Sequence, residues 1–344
     1  MSTSELRKDI VSGEWVVIAP KRAGRPTDFI KKIERHVASV RECPFEHPEE
    51  KESGISLLVY PSDAFQSTSR LNKRDRWRVQ IIRNKYPAFQ HERKCSPPVS
   101  RGLYEVMEGV GYHHLLVTRD HRKNFSDLSP KEAFLVFQAF AEHYRDLARD
   151  RCVQYISFFQ NWGSRAGASV YHPHYQIIAL PIIPPDISRS LQGALRYYKK
   201  HKECVHCAIL RWESKEEKRI IYESKNVVAF CPFVSRESFE VRIFPKKHIP
   251  HFEDSSPSLL QEVSLALQKV LYVLRKKLKD PDYNFFLHSA PVYQSEKHGY
   301  YHWHFEVMPK MSISAGFELG TGIEVTVVDP DDAAKLLRLR KSKS

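Results

Sequence analysis

The sequence places two histidines and a glutamine at alternating positions, His172, His174 and Gln176, directly before the apolar run 177–180. In a β-strand, alternate side chains point to the same face, so these three would line one wall. Neutral imidazole can act as a nucleophile, a proton carrier or a metal ligand, and a neighbouring carboxamide can donate a hydrogen bond to an oxyanion without adding charge. The pattern predicts a strand that does chemistry, and a histidine-rich surface strand is the alternative.

Two other segments have the chemistry of anion binding. The loop 161–169, which contains Gly163 and Gly167, is rich in small residues that let backbone N–H groups approach a phosphate. Arg22 and Arg25 stand in a loop bounded by proline and glycine, where they are either solvated or bind an anion. The formal net charge of +13 favours an anionic partner, which can be a nucleic acid, a membrane surface or a phosphorylated small molecule.

The second half of the chain repeats the order of the first. A strand, a helix over 130–150, a strand over 155–160 and the histidine motif are followed by a strand over 238–244, a helix over 258–278, a strand over 283–288 and a second motif over 301–307. The helical spacing of apolar residues in both helices, and Ser129 before Pro130, support this interpretation. The sequence therefore predicts an internal duplication.

Cysteines and histidines recur in the same order in both halves. The first half offers Cys43, His121 and His172, and the second offers Cys204, Cys207, His302 and either His248 or His251. Four Cys/His ligands that include a CxxC turn are typical of a closed structural zinc site. The first set lacks a second thiol, which only Glu46 or His47 could replace. We therefore expect one or two zinc sites, and we interpret Cys95, Cys152 and Cys231 as buried or incidental.

Taken together, these motifs resemble the histidine triad superfamily, in the branch of galactose-1-phosphate uridylyltransferases and the similar plant ADP-glucose phosphorylases. The resemblance extends over nearly the whole chain. It implies an α+β fold of two tandem histidine-triad-like (HIT-like) domains, each an antiparallel sheet with helices packed on it. We expect a catalytic domain over 1–190 and a structural, substrate-contacting domain over 191–344. The segments that carry the resemblance are 21–26, 43–45, 84–87, 161–169, 172–176, 245–248, 302–304 and 316–322.

The resemblance implies transfer of a nucleotidyl group from a nucleotide-sugar to a hexose 1-phosphate or to phosphate. His174 would form a covalent nucleotidyl-histidine, Gln176 would hydrogen-bond a phosphoryl oxygen, and His172 would bind a metal. A hexose-1-phosphate uridylyltransferase of galactose metabolism is the first interpretation, and an ADP-glucose phosphorylase is the alternative. The implied substrate-binding residues are Arg22, Arg25, Asn84, Asn161, Gly167, Ser169, Gly316 and Glu318.

Differences between the two motifs restrict the chemistry to the first half. Glu306 stands where the first motif has Gln176, and a carboxylate beside a diphosphate would be repulsive. The bacterial galactose enzymes have an iron-binding glutamate in the segment that corresponds to 184–190. Here the single carboxylate in that segment is Asp186, so we do not expect iron.

The remaining expectations concern partners and location. A basic nucleic-acid-binding protein is the competing interpretation, but such a protein would need neither the histidine motif nor the ordered ligand series. A dinucleotide-polyphosphate phosphorylase or hydrolase is a further alternative within the same superfamily. No apolar stretch suggests a membrane span or a secretory signal. We expect a cytoplasmic enzyme without nucleic-acid or membrane partners, and the family implies a homodimer.

Overall fold

The computed structural model describes residues 3–23, 38–46, 56–61, 77–91 and 95–339. Arg25, His47 and most of the basic cluster 70–78 lie outside the described residues. The strands are, in chain order, β1 (Glu5–Lys8), β2 (Trp15–Ile18), β3 (Leu58–Pro61), β4 (Trp77–Arg83), β5 (Val99–Arg101), β6 (Tyr104–Val106), β7 (Tyr112–Thr118), β8 (Tyr155–Trp162), β9 (His174–Leu180), β10 (Ile220–Glu223), β11 (Val227–Phe230), β12 (Val241–Pro245), β13 (Tyr283–His288), β14 (His304–Pro309) and β15 (Glu324–Thr326). The helices are α1 (Pro130–Leu147), α2 (Pro185–His201), α3 (Val205–Glu216), α4 (Pro257–Leu278), α5 (Gly316–Thr321) and α6 (Pro330–Leu337).

One ten-stranded antiparallel sheet contains both halves of the chain. Its strand order is β10-β11-β12-β14-β13-β8-β9-β7-β4-β3, and β8 and β13 join the halves. Numbered from the start of each half, the five strands of each half follow the same order 1-2-3-5-4, from an outer edge to the central junction. The topology confirms the predicted α+β fold with its duplication, and it places the two histidine motifs on β9 and β14.

Helices α1 and α4 cover one face of the sheet. Ser129 caps α1 through a capping box with Glu132, and Ser256 caps α4, so both helices begin where the sequence predicts. Phe140 on α1 stacks on Phe158 of β8 with ring centroids 3.8 Å apart. The same buried cluster includes residues of both halves, so one hydrophobic core holds the halves together.

The N-terminal and C-terminal segments form a second, smaller sheet. In this sheet β2 pairs with β1 antiparallel and with β15 parallel. Val16 and Ile18 of β2 pack on Val234, which belongs to the second half. The N-terminal residues, although first in sequence, are therefore attached to the C-terminal half.

Several local features differ from the expectations or were not foreseen by them. The segment 316–322 forms the short helix α5, which ends at Gly322 in the left-handed region (φ 70°). Helices α2 and α3 were not predicted, and the expected domain boundary at residue 190 falls within α2. Cys95 and Cys152 are not incidental, because the two form a disulfide, whereas Cys231 is a buried free thiol. None of the helices in the described part of the chain is both long enough and apolar enough to cross a membrane.

Candidate functional site

His174 begins β9 with its two ring nitrogens in different roles. Its Nδ1 lies 2.9 Å from the backbone carbonyl of His172, which can only accept a hydrogen bond, so Nδ1 carries the hydrogen. The lone pair is then on Nε2. Burial lowers the pKa of His174, so the ring is neutral at pH 7. Phe45 packs against this imidazole with ring centroids 5.0 Å apart. The arrangement is that of a fixed, neutral imidazole with a lone pair on Nε2.

Gln176 is positioned by His113, which the sequence analysis did not identify. The backbone N–H of Ala88 donates to His113 Nδ1 at 3.1 Å, so the hydrogen of this ring is on Nε2. This Nε2 donates to Gln176 Oε1 at 3.0 Å. Burial lowers the pKa of His113, which keeps the ring neutral. Because the carbonyl oxygen of Gln176 accepts from His113, its NH₂ group is oriented as a hydrogen-bond donor on the other side of the amide.

Asn84 joins the same group at the end of β4. Its backbone N–H donates to the His113 carbonyl at 3.0 Å, and its side-chain nitrogen lies 3.0 Å from His113 Nε2. Its Oδ1 accepts from the backbone N–H of Tyr86 at 3.0 Å, which shapes the turn 84–87. The structure therefore brings Asn84 together with His113 and Gln176.

Asn161 lies on β8, the neighbour of β9. Phe159 pairs with Gln176, so continuing this antiparallel register sets Asn161 level with His174. Asn284 of β13 donates to Asn161 Oδ1 at 2.9 Å and to the Ala166 carbonyl at 2.9 Å. The second half thus holds both Asn161 and the following loop in place, and Asn284 is a second residue that sequence reasoning missed.

The loop after Asn161 needs glycine at one position. Gly167 has φ +85°, a backbone conformation that side chains with a Cβ rarely adopt, and an added Cβ would lie 3.7 Å from the Asn161 amide nitrogen. Ser169 is exposed in the same loop, two residues further along the chain. The loop leads directly into the histidine motif, as the sequence predicts for a phosphate-binding loop.

The first group of metal-ligand residues forms around His172. One ligand atom each from Cys43, Glu46, His121 and His172 lie within 4.8 Å of one another, and all four residues are buried. His172 Nε2 donates to the Thr118 carbonyl at 2.7 Å, and His121 Nε2 donates to the Ala38 carbonyl at 3.0 Å.

Both imidazoles of this group therefore point the lone pair of Nδ1 into the cluster. The Nδ1 of His121 lies 3.2 Å from Glu46 Oε1, and neither buried atom has a hydrogen-bond partner among the residues that the structure describes. Two facing acceptors without a hydrogen between them repel each other, whereas a cation would satisfy both. The residues present fit a metal ion, with Glu46 in the position of the absent second thiol.

The second group comprises Cys204, Cys207, His248 and His302, again within 4.8 Å. Cys204 caps the N-terminus of α3 and Cys207 lies in its first turn. Hydrogen bonding from Cys207 lowers the pKa of the Cys204 thiol to about 5, so a thiolate is available. His248 Nδ1 lies 3.3 Å from Cys207 Sγ, whereas His251 is not among the clustered ligand residues and its Nδ1 faces Glu253 Oε1 at 4.0 Å. The structure thus selects His248 over His251 as the fourth member of a group that can hold a metal ion.

The second histidine motif has a different environment from the first. His304 Nδ1 lies 3.1 Å from the His302 carbonyl, the same hydrogen bond that His174 makes. Its ring, however, is stacked between Phe244 and His288, with centroids 4.4 and 4.9 Å away. Nearby, Glu306 contacts Arg236 at 2.7 Å and Arg242 at 2.9 Å. Burial alone would raise the pKa of Glu306, but Arg242 and Arg236 hold it well below its usual range.

Three predicted substrate-binding residues flank the strands of the small sheet rather than the strand of His174. Arg22 follows β2, and Gly316 and Glu318 belong to α5, just before β15. Backbone N–H groups of Glu318 and Ala315, together with Arg22, lower the pKa of the Glu318 carboxyl, so these residues are neighbours. No hydrogen bond or ion pair within the described residues connects them to His174 or Gln176. They form a second surface, on the small sheet.

Comparison with known proteins identifies the family of this chain. The family model described as "Galactose-1-phosphate uridyl transferase, N-terminal domain" matches residues 1–184, and one described as "Domain of unknown function (DUF4921)" matches residues 110–342. An ADP-glucose phosphorylase from Arabidopsis thaliana is 32% identical over 97% of this chain and 92% of its own. The chain belongs to the galactose-1-phosphate uridyl transferase family. It is therefore a nucleotidyltransferase.

Other members of the galactose-1-phosphate uridyl transferase family match over similar lengths. A galactose-1-phosphate uridylyltransferase from Thermotoga maritima is 28% identical over 97% of this chain and 98% of its own. The crystal structure of an Arabidopsis thaliana ADP-glucose phosphorylase with bound ADP-glucose superimposes with a TM-score of 0.81, at 30% identity, and each chain is covered to 100%. A uridylyltransferase structure gives a TM-score of 0.72 at 29% identity, with 97% of each chain covered. Both activities thus occur among relatives that span the whole chain.

Proposed function

We propose that this chain transfers a nucleotidyl group from a nucleoside diphosphate sugar to a phosphate-bearing acceptor through a covalent intermediate on His174. The observation that carries the proposal is the hydrogen bond from His174 Nδ1 to the His172 carbonyl, which fixes the ring and leaves Nε2 as the nucleophile. Burial keeps the imidazole neutral, so it approaches an anionic diphosphate without first losing a proton.

In the first step, His174 Nε2 attacks the α-phosphorus, and the bond to the bridging oxygen breaks to release sugar 1-phosphate. The new imidazole–phosphorus bond leaves positive charge on the ring, which the His172 carbonyl stabilises through Nδ1–H. The NH₂ group of Gln176 donates to a non-bridging oxygen, while His113 holds the amide in place. In the second step, an oxygen of the acceptor phosphate displaces the histidine, and the free enzyme is restored.

Other residues would bind the substrate around this centre. Asn84, Asn161, Gly167 and Ser169 lie on the segments that flank Gln176 and His174, so we assign them to the nucleotide and its phosphates. Arg22 and Arg25 would hold phosphate charge, and Gly316 and Glu318 would contact the sugar. The family resemblance implies a homodimer, and no hydrogen bond or ion pair among the described residues joins Arg22, Gly316 or Glu318 to His174, so we also propose a homodimer in which a second copy supplies them. Light scattering of the purified protein tests the dimer.

We further propose that Zn²⁺ occupies both metal-ligand groups. A set of two cysteines and two histidines is typical of structural zinc, and Cys43, Glu46, His121 and His172 form a comparable mixed set. The metal would hold the segments around His172 and around α3 in place, and the nucleotidyl transfer is carried by the protein residues alone. In this proposal residues 1–190 are catalytic and residues 191–344 are structural and contact the substrate.

Adenylyl transfer from ADP-glucose to phosphate is the specificity that the comparisons favour. Sequence identity is 32% to the Arabidopsis thaliana ADP-glucose phosphorylase and 28% to the Thermotoga maritima uridylyltransferase. The TM-score is 0.81 for the ADP-glucose phosphorylase structure and 0.72 for the uridylyltransferase structure. Uridylyl transfer to a hexose 1-phosphate, which the sequence analysis put first, is the second candidate.

A panel of donors and acceptors decides between the two specificities. ADP-glucose, UDP-glucose and UDP-galactose would each be incubated with phosphate, glucose 1-phosphate or galactose 1-phosphate, and the nucleotide products would be separated by chromatography. ADP formed from ADP-glucose and phosphate supports the first candidate. Exchange confined to UDP-sugars and hexose 1-phosphates supports the second, and the absence of transfer from every donor contradicts the proposed function. His174→Asn serves as the inactive control.

A further inference from the structure

A third cluster of ligand residues lies outside both metal groups and away from His174. Cys95 and Cys152 form a disulfide, and His91, Asp150 and Cys152 have ligand atoms within 4.8 Å of one another. The two cysteines come from distant parts of the chain. Cys95 precedes the hairpin β5–β6, and Cys152 lies between α1 and β8. Neither the transfer chemistry nor the two metal groups uses any of these residues.

The cluster has a built arrangement rather than a chance surface grouping. His91 Nε2 lies 2.9 Å from Asp150 Oδ2, and the hydroxyl of Tyr112 donates to the same oxygen at 2.7 Å. The other carboxylate oxygen, Oδ1, accepts from the backbone N–H of Cys152 at 2.8 Å. The His91 ring stacks on Tyr112 with centroids 4.9 Å apart and planes 12° from parallel. Asp150 and His91 are thus both oriented by Tyr112.

We propose that Cys95, Cys152, His91 and Asp150 bind Zn²⁺ when the two cysteines are reduced. Oxidation of the cysteines to the disulfide then expels the metal. Two thiolates, an imidazole and a carboxylate form a tetrahedral donor set that suits zinc. Zinc bond lengths set neighbouring ligand atoms about 3.3–3.8 Å apart, which is compatible with the clustering of His91, Asp150 and Cys152 ligand atoms within 4.8 Å. Cys95 joins this group through its bond to Cys152. Reduction frees the two sulfurs to separate to that distance.

The exchange balances with a small-molecule disulfide as the oxidant. The two zinc-bound thiolates lose two electrons and form the Cys95–Cys152 bond. Oxidised glutathione gains those two electrons, takes up two protons and leaves as two thiols, while Zn²⁺ is released. Because free thiols predominate in reducing compartments, the zinc form belongs to reducing conditions and the disulfide form to oxidising conditions.

Both states tie the same two parts of the chain together. The disulfide or the metal would connect the segment that enters β5 to the segment that follows α1. Tyr112, which orients the cluster, directly precedes His113, and the two side chains point to opposite faces of β7 because alternate strand residues do so. The proposed site therefore lies behind the strand that positions Gln176.

The test measures the zinc content of the full chain as a function of its redox state. Protein reduced with a phosphine under nitrogen and equilibrated with Zn²⁺ is expected to hold one more zinc per chain than the Cys95→Ser/Cys152→Ser double variant. Oxidised glutathione should then release one equivalent from the wild type, followed with a chromogenic chelator, while peptide mapping shows the Cys95–Cys152 bond. The double variant should release none by this route.

Variants that keep both thiols separate metal binding from disulfide formation. His91→Gln should lose the extra zinc and still form the disulfide, whereas Asp146→Asn, a nearby exposed carboxylate outside the cluster, should retain it. Equal zinc content in the reduced wild type and in His91→Gln overturns the proposal. Disulfide formation without release of zinc overturns it as well. These readouts do not depend on nucleotidyl transfer, so they are independent of the proposed function.

Discussion

Gln176 and Glu306 occupy equivalent positions, each two residues after the second histidine of its motif, but Gln176 has a neutral partner and Glu306 has cationic partners. Gln176 accepts a hydrogen bond from the neutral His113, whereas Glu306 lies between the guanidinium groups of Arg236 and Arg242. The first environment leaves an amide donor for substrate. The second uses its carboxylate to neutralise buried cations, which makes the second motif part of the framework.

Replacing Glu306 is therefore expected to affect stability. Glu306→Gln removes the buried carboxylate that pairs with Arg236 and Arg242, although Arg242 keeps Glu240 at 3.1 Å, and breaking a buried pair costs about 3 kcal/mol. Urea unfolding monitored by tryptophan fluorescence measures the loss. The control is Glu223→Gln, which breaks an exposed ion pair with Lys246 and should cost less than about 1 kcal/mol. A Glu306→Gln protein as stable as the wild type would contradict this role.

Removing His113 should slow the nucleotidyl transfer, because the Gln176 amide loses the hydrogen bond that holds it in place. We expect Gln176→Ala to lower kcat by about 10²-fold, the usual effect of losing one donor to a developing anion. His113→Ala leaves that donor in place but unsupported, so it should cost less. Steady-state kinetics of both single variants and of the double variant test the coupling. If His113 acts through Gln176, the double variant is no slower than Gln176→Ala, and a product of the two single effects would exclude this role.

How much the sequence predicts depends on the distance between the residues that act together. The alternation of His172, His174 and Gln176 is local, so their common face could be derived from the spacing. His113 acts through a diagonal contact between β7 and β9, and nothing in its own segment marks it except polar histidines in an otherwise apolar strand. The Cys95–Cys152 disulfide joins residues 57 apart, which no local pattern can indicate.

The helices that escaped prediction have a similar explanation. Helix α2 buries few residues, namely Ile187, Leu191, Gly193 and Ala194, so its apolar stripe is short and interrupted by polar and charged residues. By contrast, α1 and α4 each bury ten or more residues, including long apolar side chains at regular helical spacing, and both have serine caps. Periodicity therefore predicted the helices that form the core and missed those at the surface.

Glu46 is predicted to be a genuine metal ligand in the first group. Glu46→Cys keeps a suitable donor and should retain the zinc content of the wild type. Glu46→Gln removes the charge and should weaken zinc binding at least about 10-fold, because a neutral amide is a poor ligand beside two imidazoles. Elemental analysis after dialysis against a weak chelator measures the difference. Equal zinc retention by the wild type and Glu46→Gln would show that Cys43, His121 and His172 suffice.

Acid should destabilise the protein through the buried pair His114 and His143. His114 Nδ1 lies 2.8 Å from His143 Nε2, and burial lowers the pKa of His114 to about 3 and that of His143 to about 4. Between the usual histidine pKa near 6.5 and these values, the unfolded chain binds more protons than the folded one, so stability falls as the pH falls.

The size of this effect follows from the proton difference. For each of the two histidines, the free energy of unfolding falls by about 1.4 kcal/mol per pH unit below pH 6.5. Above pH 6.5 both the folded and the unfolded chain hold the histidine neutral, so its effect on stability is constant. Urea unfolding at pH 7 and pH 5 measures the loss, and His143→Gln should show a smaller difference between the two pH values. An identical pH dependence in the wild type and His143→Gln would rule out this pair as the origin.

Intact-protein mass spectrometry tests directly whether His174 carries a covalent nucleotidyl group. Protein incubated with its nucleotide-sugar donor, without acceptor, should gain the mass of one nucleotidyl group per chain, in a bond that is labile to acid and stable to base. Adding the acceptor should remove it, and His174→Asn should gain nothing. An adduct that persists in His174→Asn, or that peptide mapping places on His304, would show that His174 is not the nucleophile.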